Sequence, residues 1–144
     1  PAQPLPEEIY RQLDMVTPNE VEAEVLTGIP VADEAGAQRA AQALLAKGVQ
    51  NAVITLGSRG VFVATAEKGA LIPVPRVEAL DTTGAGDAFN GGLVTALSEG
   101  KDLFAAAKFA NALAAVSVQR MGTTNSMPTR EEIDDFIAAR PELA

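Results

Sequence analysis

An alanine-rich helix that stops at a glycine and feeds directly into a short apolar run constrains this chain more than any other feature. The stretch is "DEAGAQRAAQALLAKGVQNAVITLG", Asp33 to Gly57. Ala37, Ala40, Ala41, Leu44 and Leu45 recur at helical spacing, so one face is apolar, and Gly48 ends the helix. "NAVITLG" follows without polar alternation, as expected of a strand buried on both faces. Such a strand needs layers on either side, which points to an α/β architecture.

The flanking segments extend that reading. "PEEIYRQL" predicts a short helix with Pro6 near its start, and "DMVT" a strand end. "TPNEVEAEVLTG" predicts a helix with Thr17 as N-cap, Pro18 in the first turn, Glu20 three residues after the cap and Gly28 as the stop. "GVFVATA" and "ALIPVP" predict two strands of a hairpin around Lys68–Gly69. Helical spacing begins at Ala85 with Phe89, Leu93 and Leu97, continues over Leu103–Val118, and returns in "TREEIDDFIAAR". No internal repeat or linker divides residues 1–144, which predicts a single partial domain. The opening "PAQPLPEEIY" has three prolines and no initiator methionine, and the sheet has few strands; both read as part of a longer protein.

Composition narrows the chemistry. The chain has no cysteine and no histidine, which removes thiolate nucleophiles, cysteine/histidine zinc sites and imidazole acid–base catalysis. Catalysis must use carboxylates, hydroxyls, amides, lysine, arginine or backbone N–H groups. A net charge of −8 without a basic cluster argues against nucleic acid and anionic membranes as partners. No apolar run approaches the roughly 18–20 residues of a membrane span. With no targeting segment visible, a cytoplasmic protein is expected.

The candidate site is "DTTGAGDAFNGG", Asp81 to Gly92. A glycine-rich turn entering a helix presents unpaired N–H groups and the positive end of the helix dipole to one point. Gly84, Ala85 and Gly86 stand there, yet neither the P-loop pattern nor the dinucleotide fingerprint fits, since Phe89 occupies the last fingerprint position. Asp87 has two readings. As a helix-start acid it complements the dipole by about 0.3–1 kcal/mol. As a base it accepts a proton from a hydroxyl attacking phosphorus, while the neighbouring N–H groups hold the transferring oxygens. A base and an anion hole within three residues suit phosphoryl transfer to an alcohol, which needs positioning more than a strong base. Gly91 and Gly92 add weight, because interior helix glycines cost about 1 kcal/mol each unless a backbone or ligand approaches closely. Tight helix packing is the alternative for Gly92.

These residues resemble the signature D-T-x-G-A-G-D of the ribokinase-like (PfkB) family of sugar kinases. "TPNEVEAE" is similar to that family's N-x-x-E motif, "TLGSRG" to its nucleotide loop, and the ending "RMGTTNSMPTREEID" has the same flavour. The resemblance runs over essentially the whole chain and covers the C-terminal half of a family member. It implies a three-layer fold: the nucleotide-binding part of a mainly parallel sheet, with a helix-rich C-terminus. It also implies transfer of a phosphoryl group from ATP to a sugar hydroxyl, D-ribose to ribose 5-phosphate foremost, with a homodimer in the full-length protein. Fructokinase, deoxyribokinase and 2-keto-3-deoxygluconate kinase are the neighbouring activities. A nucleotide-binding module without activity of its own is the alternative from another class.

Residue by residue, the resemblance makes Asp87 the catalytic base, in contact with the substrate, and Gly84, Ala85 and Gly86 the anion hole. Asn19 and Glu22 become the N-x-x-E pair that organises Mg²⁺ and phosphates through water; their i, i+3 spacing puts them on one helix face. Glu20 needs no ligand, since the capping box explains it. Thr55, Gly57, Ser58 and Gly60 line the ATP channel, at the carboxyl end of a buried strand where α/β sheets bind ligands. Arg59 is the candidate to reach a phosphate or, equally, an exposed turn arginine. Asn111, a lone amide in "AAAKFANALAAVSV", is a base or ribose contact or else a loop cap. Asp81, Thr83, Ser117, Arg120, Gly122 and Ser126 correspond to a monovalent-cation site, with K⁺ as the expected ion.

Overall fold

The computed structural model describes residues 14–73, 85–120 and 129–139. The helix expected near Pro6 lies outside them. The chain forms two compact units, Pro1–Pro73 and Val74–Ala144.

The first unit is a four-stranded sheet in the order β1-β2-β3-β4, with β1 Met15–Val16, β2 Asn51–Thr55, β3 Val61–Ala64 and β4 Gly69–Ile72. β1 and β2 pair in parallel, Met15 opposite Asn51. They are joined through α1 (Glu20–Thr27) and α2 (Glu34–Ala46), as a parallel crossover requires. β2, β3 and β4 are antiparallel, with Val53 opposite Val63 and Phe62 opposite Leu71. The sheet described is therefore mixed rather than mainly parallel. The cause is the expected hairpin, whose turn is closed by Thr65 N–H donating to the Lys68 carbonyl at 2.8 Å.

Side chains alternate across β2, so Ala52 and Ile54 face one way and Val53 the other; all three are fully buried. The expected strand buried on both faces is thus present. Ala52, Ile54, Phe62 and Ala64 pack against Ala37, Ala40, Ala41 and Leu44 of α2 and Ala23 of α1. Alanines along α2 let its axis come close to the sheet, and Leu44 fills the centre, so Leu44→Ala would cost about 2–5 kcal/mol. Asp33 caps α2 by accepting from Gly36 N–H at 2.7 Å.

The start of α1 corrects the sequence reading. Its N-cap is Asn19, not Thr17, and the N3 residue of the capping box is Glu22, not Glu20. Thr17 precedes a proline and is steered away from helical backbone. The carbonyl of Pro18 then accepts from Thr55 N–H at 3.0 Å, and Asn19 bridges to Thr55 in parallel. The chain stays extended beside β2 for two residues longer than the local pattern suggests.

The second unit is helical: α3 Ala85–Ser98, α4 Leu103–Arg120 and α5 Arg130–Ala138. A short connection closed by Gly100 N–H to the Leu97 carbonyl and Lys101 N–H to the Ala96 carbonyl folds α4 back along α3. Ala88, Phe89, Leu93 and Ala96 meet a small-residue face of α4 that includes Ala106, Ala107 and Ala110. Gly92 is the closest point: a Cβ there would lie 3.2 Å from the Ala110 Cα and 2.7 Å from a Leu113 methyl. α5 is capped by Thr129 and Glu132 and buries Ile133 and Phe136. Arg130 stacks over the Phe109 ring at 4.6 Å and hydrogen-bonds Glu99 at 2.6 Å. That hydrogen bond raises the Arg130 pKa above its ordinary value.

Candidate active site

In the first unit the fold assembles Asn19, Glu22, Thr55, Gly57 and Arg59 around the end of β2. Asn19 Oδ1 accepts from Glu22 N–H at 2.8 Å, and Glu22 Oε1 accepts from Asn19 N–H at 2.9 Å. The i, i+3 pair expected to share a ligand is thus also the reciprocal cap of α1. Both side chains stay solvent-exposed, and the second carboxylate oxygen of Glu22 is not used by the cap.

Beyond β2 the chain makes a single 3₁₀ turn at Gly57–Arg59, closed by Leu56 N–H to the Gly60 carbonyl at 2.8 Å. Gly57 has φ +60°, and Gly60 has φ +109° with ψ −149°, backbone that only glycine adopts readily. A Cβ on Gly60 would also stand 2.3 Å from the Ile72 carbonyl oxygen. Arg59 does not point freely outward. Its Nη2 donates to Glu20 Oε2 at 2.6 Å and its Nη1 to the Ala32 carbonyl. Glu20 was thus missed as a partner: 39 residues separate it from Arg59, and no local pattern announces the pair. The side chain of Ser58 lies outside the described residues.

In the second unit the site is the start of α3. The helix already includes Ala85, Gly86 and Asp87, so these residues form its first turn rather than a loop ahead of it. Their N–H groups have no acceptor within the helix and lie at the positive end of the dipole. Gly86 is exposed, and a Cβ built on it meets no atom within 4 Å among the described residues. Asp81, Thr83, Gly84, Gly122 and Ser126 lie outside the described residues, as do the side chains of Ala85, Asp87 and Arg120.

On α4, Asn111 is buried at 3% exposure. Ser117 Oγ is buried and has no hydrogen-bond partner among the described residues, an arrangement that costs about 1–3 kcal/mol if nothing else binds it. The contact of Gly92 with Ala110 and Leu113 sets the register of the helix pair. Counting about 1.5 Å per residue from there, Ser117 stands at the level of the first turn of α3. An orphaned oxygen at that place fits a hard cation, which takes oxygen ligands.

Comparison with known proteins shows the family and the fold. The profile of the pfkB family carbohydrate kinases matches residues 1–130. The ribokinase of Haemophilus influenzae is 49% identical over 137 residues, which cover 95% of this chain and 45% of that protein. Among solved structures, Arabidopsis thaliana ribokinase complexed with ribose and ATP superposes with a TM-score of 0.85 at 32% identity, over 94% of this chain and 44% of that one. Thermotoga maritima ribokinase gives 0.82 at 42% identity, over 96% and 46%. The chain spans about half the length of the relatives it matches.

Proposed function

The chain belongs to the pfkB family of carbohydrate kinases, and from that premise we propose that it supplies the ATP-binding half of an enzyme that phosphorylates a sugar hydroxyl, D-ribose giving D-ribose 5-phosphate. The observation that carries the reading is Gly86. The described residues ask for no glycine there: the helix would gain from alanine, and a methyl group would touch none of them. Open space above unpaired N–H groups at a helix start is what an approaching phosphate needs.

In this reaction the acceptor hydroxyl oxygen attacks the γ-phosphorus, the bond to the β–γ bridging oxygen breaks, and ADP leaves with that electron pair. Asp87 takes the hydroxyl proton, and the N–H groups of Gly84, Ala85 and Gly86 hold the transferring oxygens. A negative charge at Asp87 is tolerable if the acceptor meets the carboxylate and the phosphates meet the amides. Glu22 and Asn19 would hold water on Mg²⁺, which would offset phosphate charge when bound; Thr55, Gly57, Ser58 and Gly60 would contact the nucleotide, and Asn111 its base or ribose. Ser117, Asp81, Thr83, Arg120, Gly122 and Ser126 would hold K⁺; the buried Ser117 oxygen, without a partner among the described residues, supports this. The protein acts in the cytoplasm as a homodimer. Resemblance to ribokinases in particular favours ribose over fructose, deoxyribose or 2-keto-3-deoxygluconate, and competition among these sugars separates them.

The test is Asp87→Asn in the intact protein. Turnover with ATP and ribose should fall by about 10²–10⁴, while Mg-ADP binds by calorimetry as before. An unimpaired variant overturns the general-base assignment.

A further inference from the structure

Arg59 is the residue of the nucleotide loop whose role the fold changes. Its guanidinium joins three segments that are distant in sequence: the Gly57–Gly60 turn, the first turn of α1 through Glu20, and the chain ahead of α2 through the Ala32 carbonyl. A second tie runs parallel to it, from Thr55 N–H to the Pro18 carbonyl at 3.0 Å. Between the two ties lie Asn19, Thr55 and Gly57. The other Glu20 oxygen, Oε1, faces Gly57, 3.8 Å from where a Cβ would stand. The pair is about two-fifths exposed on each side, 41% for Arg59 and 39% for Glu20. Pairs this open contribute little to folding stability and are screened by salt. What this one restrains is the turn.

We propose that Arg59 is a positioning residue: with Glu20 it clamps the Gly57–Gly60 turn to the start of α1, holding both nucleotide-facing segments in register before the nucleotide arrives. The proposal rests on the reading of this chain as the ATP-binding half of a sugar kinase. Without the clamp, the turn must be ordered at the moment of binding, which weakens affinity and leaves the chemical step alone. A direct Arg59–phosphate contact makes the opposite demand on Glu20. Removing that carboxylate would then release Arg59 and take a negative charge away from the phosphates, so binding would tighten.

The experiment compares Glu20→Ala, Arg59→Ala and the double variant in the intact protein. It uses calorimetry with Mg-ADP, steady-state kinetics with ATP and ribose, and hydrogen exchange at the Arg59 and Gly60 amides. Each single variant should raise the Mg-ADP Kd and the KM for ATP roughly fivefold to tenfold. The double variant should be no worse than either single one, since the two residues act as one device. Turnover should stay within about twofold, and both amides should exchange faster. Arg59→Lys, which keeps the charge but not both hydrogen bonds, should fall between wild type and Arg59→Ala. Tighter binding in Glu20→Ala, additive losses in the double variant, or unchanged exchange would each overturn the clamp. A wild-type protein that binds no Mg-ADP overturns the proposed function and the positioning role together. Normal wild-type binding with unaltered variants overturns the positioning role alone.

Discussion

The Gly57–Gly60 turn and the first two turns of α3 are both glycine-rich, but the fold accounts for their glycines unequally. In the turn the backbone itself demands glycine: Gly60 combines φ +109° with a carbonyl 2.3 Å from any Cβ. In α3 only Gly92 is required by packing, where Ala110 and Leu113 come close. Gly86 and Gly91 lie in ordinary helix, exposed, with open space where a side chain would go. A glycine that the fold explains says little about function. One that costs helix stability, meets no described neighbour and stands in the first turn of a helix, where the N–H groups lack an intrahelical acceptor, marks a place where something else approaches.

Substitutions can break this contrast. Gly60→Ala should be the most damaging, costing about 3 kcal/mol or more through backbone strain and the Ile72 clash, read as a fall in the urea midpoint. A tolerated alanine would mean that the turn relaxes easily and that its glycines are not dictated by the fold. Gly86→Ala should act the other way on stability, raising it by a few tenths to about 1 kcal/mol. Its turnover with ATP and ribose should nonetheless drop about tenfold to a hundredfold, because a methyl group displaces the phosphate from the amides. Full turnover in that variant would remove the observation on which the functional reading rests. Gly92→Ala should cost about 1–2 kcal/mol, the overpacking against Ala110 being partly offset by helix propensity. Gly91→Ala should be the mildest change, stabilising by up to about 1 kcal/mol with turnover intact. If Gly91→Ala also lost turnover, the ligand-facing stretch of α3 would extend a turn further.

Much of the architecture was readable along the chain. β2 was legible because a strand buried on both faces has no polar alternation, and α2 because its alanines repeat at helical spacing around a capping aspartate. The start of α3 at Ala85 was legible because Phe89, Leu93 and Leu97 follow it at helical spacing. The start of α1 was misread. The Thr17–Pro18–Glu20 pattern obeys the local rules for a capping box, but sheet-like hydrogen bonding from Thr55 keeps Pro18 and Asn19 extended. The cap then falls to Asn19 and Glu22, which frees Glu20.

Local sequence thus determined where helices and strands form, since periodicity and breakers act over a few residues. It also excluded thiol and imidazole chemistry outright, because neither side chain is present. Only tertiary structure decided which glycines are structural, that Ser117 carries a buried oxygen without a partner among the described residues, and that Arg59 reaches Glu20. Each of these depends on atoms brought together from distant parts of the chain, and sequence spacing carries no record of such distances.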